Sequence, residues 1–234
     1  MDILLLEPTL KETIWGGRKL IEDYGFETSL ANAAEAWLLS CHKDGPSFVT
    51  NGEYKGKTLQ EVIDIRGREI LGTNNADIND FPILIKIIDA CDKLSVQVHP
   101  GDEYARAVEN ENGKTEAWFV LDCEEGAELI YGVNRDMERA EFAAKIEDGS
   151  LMEVMNCVKV NPGDVIFIPS GMLHAIGAGI LLAEVQQSSN TTYRVFDYNR
   201  KDKFGNTREL HVKKATDVVN LRFNEADFSP KGEK

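Results

Sequence analysis

The sequence predicts a mainly β fold, a β-sandwich of the jelly-roll type with a few peripheral helices. Short runs of β-branched and aromatic residues alternate with turn signals, and long amphipathic helices are scarce. At 234 residues, 42% hydrophobic and 28% charged, the chain can bury one substantial core. We expect a single domain over residues 1–234, with a helical insert near 55–72 and a polar C-terminal tail near 222–234.

The first clear helix is expected to begin at Thr58. The Thr58 side chain can cap the helix while Glu61 reaches back to the backbone, which is the pattern of a capping box. Leu59, Val62 and Ile63 then form an apolar stripe at helical spacing. This helix is predicted to be structural.

The remaining elements follow from apolar runs and the turn signals between them. Strands are expected at 82–88, 93–99 and 114–121, and three more between 157 and 197. Helices are expected around 102–110, 136–146 and 213–221. The strands outnumber the helices, which is why we expect helices only at the periphery.

The net charge and the length of the apolar runs limit which binding partners and which cellular compartment we expect. A formal net charge of −14 disfavours nucleic acid and anionic membranes, because both attract proteins through a positive field. The apolar run at 3–6 is too short for a signal peptide, and no run approaches the roughly 20 residues that span a bilayer. We therefore expect a cytoplasmic protein without nucleic-acid or membrane partners.

The cysteines, Cys41, Cys91, Cys123 and Cys157, lie tens of residues apart. None forms a Cys-x-x-Cys pair, so neither a zinc knuckle nor a redox motif is present. We expect reduced thiols buried in the core.

A first group of candidate ligands lies on the strand predicted at 93–99. Alternation places Ser95, Gln97 and His99 on one face, and Val96 and Val98 on the other. An imidazole beside a carboxamide on one face suits two ligands of one metal ion. The alternative is a partly exposed strand that simply ends in a turn.

A second group is Lys114 and Glu116, which share one face at the start of an apolar strand. A charge there is costly to desolvate unless it is paired or bound to a cation. A Lys–Glu surface pair is the alternative interpretation.

The third group has the most specific spacing. Gly163, Pro169, Gly171 and His174 follow the pattern Gly-x5-Pro-x-Gly-x2-His, which matches the second cupin motif. That motif brings its histidine into the mouth of a β-barrel, which favours a ligand over a core histidine. The three groups together offer two imidazoles, one carboxylate and one carboxamide, which suits one Zn²⁺ per chain with positions left open for substrate.

At this point the chain resembles the type I mannose-6-phosphate isomerases, in particular their short bacterial branch. The matching segments stand in the family's order from residue 7 to about 215. They are Trp15-Gly-Gly17, Ala34-Glu-Ala-Trp37, the strand around Lys86, Leu94 to Asp102, Lys114 to Trp118, Ile168 to Ala175, and Glu184 to Tyr198.

The resemblance implies a metal-dependent aldose–ketose isomerase of cupin fold that acts on mannose 6-phosphate and fructose 6-phosphate through an enediol. It implies that Gln97, His99, Glu116 and His174 bind zinc, and that Arg194 is the essential arginine near the substrate. The pocket would be lined by Lys86, Ser95, Lys114, Glu184, Trp15 and Glu35. Longer members continue past the equivalent of Val212 into a second small β domain, so the chain is expected to be a truncated form or a compact variant.

Two side chains are candidates for catalysis. The permanent charge of Arg194 suits an enediolate or a phosphate, although an ion pair with Asp197 is an alternative. Lys86, alone among Ile and Leu neighbours, is the candidate proton-transfer base if it is desolvated, and a lysine snorkelling at a sheet edge is the alternative. No Gly-rich phosphate loop is present, so Lys114 and Arg194 are the leading choices for phosphate recognition.

Two other functions fit parts of the pattern. A cupin dioxygenase shares the fold and the metal histidine, but such enzymes usually have His-x-His where this strand has Gln97-Val-His99. A non-catalytic sugar-phosphate-binding cupin would need the pocket without Arg194 or Lys86.

Overall fold

The structure is a computed structural model that describes residues 3–75, 81–201, 204–223 and 225–226. Within these residues it contains short antiparallel strands and five α-helices. The strands are β1 Leu6–Glu7, β2 Thr9–Lys11, β3 Glu35–Leu39, β4 Phe48–Val49, β5 Ile83–Ala90, β6 Val96–Val98, β7 Glu116–Cys123, β8 Glu128–Val133, β9 Met155–Lys159, β10 Val165–Ile168, β11 His174–Ala175, β12 Ile180–Gln187 and β13 Tyr193–Phe196. The α-helices are α1 Lys19–Glu22, α2 Leu59–Arg66, α3 Asp102–Val108, α4 Arg139–Glu147 and α5 Val212–Val218. Single 3-10 turns are Gly52–Tyr54, Arg68–Leu71, Thr73–Asn75 and Leu151–Val154.

Two sheets form a sandwich, as the sequence predicts. The six-stranded sheet has the order β10-β7-β12-β5-β3-β2, and the five-stranded sheet has the order β13-β6-β11-β8-β9. One buried cluster contains Trp118 and Leu182 of the first sheet together with Leu129 and Tyr131 of the second. This cluster is the core between the sheets, so the prediction of a mainly β sandwich with peripheral helices is confirmed.

A second core lies between the five-stranded sheet and the helices. Val96 and Val98 are fully buried there against Phe142 and Ile146 of α4 and Ala215 of α5. These two valines alternate with Gln97, which is only partly exposed on the opposite face. The predicted alternation in this strand therefore separates a helix-packed apolar face from a polar face that looks into the sandwich.

Helix α2 begins as its sequence predicts. Thr58 Oγ1 accepts from the backbone N–H of Glu61 at 3.2 Å, and the Glu61 carboxylate accepts from the backbone N–H of Thr58 at 2.7 Å. Leu59, Val62 and Ile63 are its buried residues. The helix and the 3-10 turn Arg68–Leu71 lie within the predicted helical insert near 55–72.

Two other expectations differ from the structure. The segment 157–197 contains parts of five strands instead of three, and β8 has no counterpart among the predicted strands. β11 is two residues long and is held by pairing on both sides, so it has too few residues to show an alternation. All four cysteines are free, but Cys91 and Cys157 are exposed, so the expectation that the thiols are buried is wrong.

The remaining expectations about chain organisation stay predictions. Much of the expected polar tail, residue 224 and residues 227–234, lies outside the described residues. The single-domain assignment over 1–234 also stays a prediction. Within the described ranges, no helix has both the length and the apolar character needed to cross a membrane.

Candidate active site

Strand register places polar and aromatic side chains in two rows, one on each sheet. The row on the six-stranded sheet runs across β7, β12, β5 and β3 through Trp118, Glu184, Lys86 and Trp37. The row on the five-stranded sheet runs across β13, β6, β11 and β8 through Arg194, Gln97, His174 and Tyr131. The rings of Trp118 and His174 lie 5.5 Å apart, so the two rows meet inside the sandwich.

Three of the predicted ligands form a compact buried cluster. His99, Glu116 and His174 each offer one ligand atom, and these atoms lie within 4.8 Å of one another. His99 Nε2 is 3.2 Å from His174 Nε2 and 3.3 Å from Glu116 Oε1, and His174 Nε2 is 3.4 Å from Glu116 Oε2. None of the three residues is more than 1% exposed. The described residues thus contain one His/Glu/His group that can hold a metal ion.

The hydrogen bonds of the two imidazoles fix their tautomers. His99 Nδ1 lies 2.9 Å from the Thr191 carbonyl, and His174 Nδ1 lies 2.9 Å from the Met172 carbonyl. A carbonyl oxygen only accepts, so each Nδ1 carries the proton and each Nε2 presents a lone pair. Two lone pairs aimed at each other across 3.2 Å repel unless a cation lies between them. The histidines therefore fit a metal ion.

The surroundings of Glu116 and the protonation states of Glu116, His99 and His174 also favour a metal ion. Both carboxylate oxygens of Glu116 are buried without a hydrogen bond of good geometry among the described residues, although Lys114 Nζ is 2.5 Å from Oε1. Burial acts to raise the pKa of Glu116, but Lys114 together with His99 and His174 outweighs burial and holds this pKa well below its usual value. Burial, followed by the Lys114 charge, lowers the pKa of His99 to about 3, and burial also lowers that of His174. Neutral imidazoles and an ionised carboxylate are the states that bind a divalent ion.

Gln97, the fourth predicted ligand, lies next to this cluster. It pairs directly with His174 across β6 and β11, and its Nε2 is 3.5 Å from His174 Nε2. The two ends of a carboxamide are interchangeable by a flip, so the same side chain can present its oxygen to a cation. Gln97 therefore completes a set of two imidazoles, one carboxylate and one carboxamide.

Two glycines explain the spacing of the motif that ends in His174. Gly163 has φ +96° and Gly171 has φ +84°, a left-handed region that other residues rarely adopt. The N–H of Gly171 donates to the carbonyl of His99 at 2.8 Å. The turn at Gly171 thereby ties His99, which directly follows β6, to the segment that leads into His174 on β11.

A cavity of about 360 Å³ opens beside the cluster. It brings together Gln97 and every residue predicted to be catalytic or substrate-binding. Its lining is Thr13, Trp15, Glu35, Lys86, Ile88, Leu94, Ser95, Gln97, Lys114, Ile176, Glu184, Asn190, Thr192, Arg194 and Arg208. A second cavity of about 410 Å³, around His42, Lys43 and Arg106, is not lined by Gln97 or Lys114, the two residues of the first cavity that contact the cluster. We therefore place the site at the first cavity.

Lys86 sits between two carboxylates in this cavity. Its Nζ is 3.3 Å from Glu35 Oε2 and 3.2 Å from Glu184 Oε1. The negative charges of Glu35 and Glu184 outweigh burial and raise the pKa of Lys86. Burial, and after it the charge of Glu116, raises the pKa of Glu184. Burial also acts to raise the pKa of Glu35, but Lys86, the hydrogen bond from Trp37 and the Lys114 charge together outweigh it and lower this pKa. These contacts disfavour the neutral amine that a base requires, and they leave Glu184 as the carboxyl that most readily takes up a proton.

Arg194 lies opposite, on β13. Its Nε donates to Ser95 Oγ at 3.2 Å and its Nη1 donates to the Glu209 carbonyl at 3.1 Å. The alternative of an ion pair with Asp197 is not formed, because Asp197 binds Arg200 and Arg208 instead. Arg194 is therefore held in the cavity wall by Ser95 and by the backbone.

Sequence reasoning did not select several lining residues. Arg208 is the most consequential, because it adds a fourth cation to the cavity. It stands in a polar segment between β13 and α5 that has no apolar periodicity, so the sequence contains no local signal for it. Thr13, Asn190 and Thr192 were likewise not selected.

Comparisons with known proteins agree with the geometry. The model of the family "Phosphomannose isomerase type I, catalytic domain" matches residues 3–129. The chain is 48% identical over 219 residues to mannose-6-phosphate isomerase ManA of Bacillus subtilis, covering 93% of this chain and 68% of that protein. It is 42% identical over 218 residues to a mannose-6-phosphate isomerase of Streptococcus mutans, with the same coverage.

Solved structures give the same result. The crystal structure of the mannose 6-phosphate isomerase from Bacillus subtilis superposes with a TM-score of 0.90 at 40% identity, covering 97% of this chain and 71% of that one. A putative mannosephosphate isomerase from Archaeoglobus fulgidus superposes with a TM-score of 0.76 at 26% identity, covering 95% and 69%. Together with the family match over more than half of the chain, these relatives show that the chain belongs to the type I phosphomannose isomerase family.

Proposed function

We propose that the chain is an isomerase that interconverts mannose 6-phosphate and fructose 6-phosphate through an enediol. The observation that carries the proposal is the meeting of two imidazole lone pairs and a buried carboxylate beside a cavity lined by Lys86, Lys114, Arg194 and Arg208. The names of the similar proteins from Bacillus subtilis and Streptococcus mutans support it. Neither the dioxygenase nor the non-catalytic alternative is favoured by any of these relatives.

The metal of this family would be held by His99, Glu116, His174 and Gln97. We propose one Zn²⁺ per chain, because two imidazoles with two oxygen donors suit a borderline divalent ion. Bound there, the ion supplies Lewis-acid stabilisation of negative charge on a substrate oxygen. Thr191 and Met172 fix the histidine tautomers through their carbonyls, which orients both Nε2 atoms in advance.

The reaction moves a proton between C2 and C1 of the open-chain sugar. Glu184 is the side chain we assign to this transfer, because burial raises its pKa and its Oε1, which lies 3.2 Å from Lys86 Nζ, has no hydrogen bond of good geometry among the described residues. Trp118 donates to the other oxygen, Oε2, at 2.9 Å and so fixes the carboxyl plane. A single carboxyl can take the proton from one carbon and return it to the next.

The cations of the cavity have supporting roles. Lys86, predicted as the base, stays charged between Glu35 and Glu184, so we assign it to donating hydrogen bonds to substrate oxygens. Arg194 keeps its predicted role as a permanent positive charge near the developing enediolate. Ser95 holds the Arg194 guanidinium, while Trp15 and Glu35 line the edge of the cavity.

A coupled assay tests the proposal directly. Fructose 6-phosphate formed from mannose 6-phosphate is measured, with the metal content of the same sample determined before and after chelation. Turnover that disappears with about one equivalent of zinc per chain and returns on its addition is the expected result. A folded, metal-loaded protein that binds mannose 6-phosphate without turnover would contradict the isomerase assignment and favour the sugar-phosphate-binding alternative.

Three further assignments are part of the proposal. The partner is a small sugar phosphate, and nucleic acid and membranes are not partners of a chain with net charge −14. The expected location is the cytoplasm. Residues 1–234 act as one catalytic domain.

A further inference from the structure

A group of arginines surrounds one carboxylate at the wall of the cavity. Asp197 directly follows β13 and is 6% exposed. Arg208 binds it through two parallel bonds, from Nε to Oδ2 at 2.7 Å and from Nη2 to Oδ1 at 2.6 Å. Arg200 donates from Nε and Nη2 to Oδ1 at 3.2 and 2.5 Å. One buried carboxylate thus holds two guanidinium groups.

Arg200 is fully engaged in structural contacts. Its Nη1 donates to the Lys93 carbonyl at 2.5 Å and lies 3.5 Å from Asp92 Oδ2. Its guanidinium lies over the Tyr198 ring at 5.3 Å, and its side chain is 15% exposed. Arg200 does not line the cavity, so it serves as a brace for Asp197.

Arg208 differs from Arg200 in its position and in the contacts of its guanidinium group. It lines the cavity, and its side chain is 31% exposed. Asp197 takes up only its Nε and Nη2, and among the described residues Nη1 has no hydrogen-bond partner. The fork with Asp197 therefore fixes the guanidinium plane and leaves donors for a ligand in the cavity.

The two arginines that line the cavity also point to an anion. Arg194 and Arg208 both lie in the cavity wall, whereas Arg200 is paired with Asp92 as well as with Asp197. Burial lowers the pKa of Arg194, and the neighbouring charge of Arg208 lowers it further. Two like charges that line the same cavity are stabilised by an anion bound between them.

The backbone that follows Asp197 is strained. Tyr198 and Asn199 have φ values of +56° and +53°, a left-handed conformation that is uncommon for residues other than glycine. The turn they form brings Arg200 back onto Asp197. Such strain persists where surrounding contacts fix it, and it often accompanies functional sites.

We propose that Arg208 is the anchor for the phosphate group of the substrate, and that Asp197 is the residue that positions it. This rests on the proposed function, because the ligand is the phosphate monoester of the same sugar. Lys114, predicted for this role, has its ammonium 2.5 Å from Glu116 Oε1 and 3.3 Å from His99 Nε2. Lys114 is thus committed to the metal cluster, where the carbonyl end of the sugar binds, whereas the phosphate lies at the other end of the sugar.

The test compares Arg208→Gln with wild type and with Arg222→Gln. Arg222 is exposed, and its only ion-pair partner among the described residues is Asp136, so this control loses one charge at a side chain that does not line the cavity. Two quantities are measured on the metal-loaded protein, the dissociation constant for inorganic phosphate by calorimetry and the KM and kcat for mannose 6-phosphate. We expect Arg208→Gln to weaken phosphate binding and raise KM by about 10- to 100-fold, with kcat changed far less, because charge-assisted hydrogen bonds are lost. Arg222→Gln is expected to resemble wild type.

The role of Asp197 is tested by a double-mutant cycle. Asp197→Asn is expected to raise KM less than Arg208→Gln, and the double variant is expected to match Arg208→Gln, because Asp197 acts through Arg208. Additive effects would overturn the positioning role.

The outcomes separate this inference from the proposed function. Turnover of mannose 6-phosphate with unchanged phosphate affinity and KM in Arg208→Gln would overturn the inference alone, as would a wild type that does not bind phosphate. Arg208-dependent phosphate binding in a protein that does not isomerise the sugar would uphold the inference and refute the isomerase assignment.

Discussion

Replacing Lys86 by methionine is expected to destabilise the protein substantially. Lys86 is 5% exposed, and its ammonium lies between Glu35 and Glu184 at 3.3 and 3.2 Å. Methionine keeps the length of the side chain and removes its charge, which leaves two carboxylates in the cavity wall without their cation. Removing one partner of a buried ion pair costs about 3–5 kcal/mol. For a chain of this size that corresponds to a fall in Tm of roughly 6–20 °C.

The loss of stability in Lys86→Met relative to wild type should grow with pH. In wild type burial acts to raise the pKa of Glu35, but Lys86, with help from Trp37 and Lys114, outweighs burial and keeps this pKa below the usual value. The pKa of Glu184 is already raised by burial. Without Lys86, burial raises both folded-state pKa values above those of the unfolded chain. A carboxyl with a raised folded-state pKa does not lower the free energy of unfolding while it is protonated in both the folded and the unfolded state. Once the pH exceeds the folded-state pKa, each unit by which this pKa lies above the unfolded-state pKa lowers the free energy of unfolding by about 1.4 kcal/mol. The variant should therefore lose less stability near pH 5 than near pH 8.

The assay is urea unfolding of chelator-treated protein at about pH 5 and pH 8, followed by circular dichroism. Lys19→Met is the matched control, because Lys19 forms a surface pair with Asp122 at 3.1 Å that is worth about 0–1 kcal/mol. Adding Glu184→Gln to Lys86→Met should recover part of the loss, since one unpaired carboxylate is removed. A loss below about 1 kcal/mol that is equal at both pH values would refute the reasoning.

Three more predictions follow from local contacts. Glu116→Gln should weaken metal binding by more than roughly 10- to 100-fold, which is the usual effect of losing a hydrogen bond to a metal ligand. Metal content after dialysis measures the effect, and an unchanged metal content would contradict the assignment of the cluster as a metal site. Asp197→Asn should destabilise the protein at neutral pH, because its arginine partners outweigh burial and lower the pKa of Asp197. The difference from wild type should shrink as pH falls below about 4, because the Asp197 carboxylate then gains a proton first in the unfolded chain and, at lower pH, in the folded protein. A pH-independent difference in unfolding curves would argue against this account. Thr58→Ala should cost about 1 kcal/mol in urea unfolding through loss of the capping box, with Thr50→Ala, outside any helix, as a comparison expected to show no capping loss.

Several parts of the molecule were readable from sequence because short-range geometry encodes them. Alternation along residues 95–99 separates two buried valines from the polar face that carries Gln97. The glycine spacing before His174 corresponds to two residues with positive φ, a constraint that no other residue meets as easily. The capping box at Thr58 is likewise a contact between residues three apart. These features depend on neighbours in the chain, so the chain's local pattern predicts them.

The local sequence pattern was thus enough to predict the sandwich, the start of the helix and the types of side chain available to a metal. It was not enough to predict which of these side chains contact one another. Cross-strand register puts Lys86 beside Glu184 and holds it charged, whereas its apolar neighbours in sequence suggested a neutral amine. The fork between Asp197 and Arg208 joins residues from a segment without periodicity and turns Arg208 into the cavity. A side chain's pKa and direction depend on groups distant in sequence, and these are fixed only when the two sheets pack.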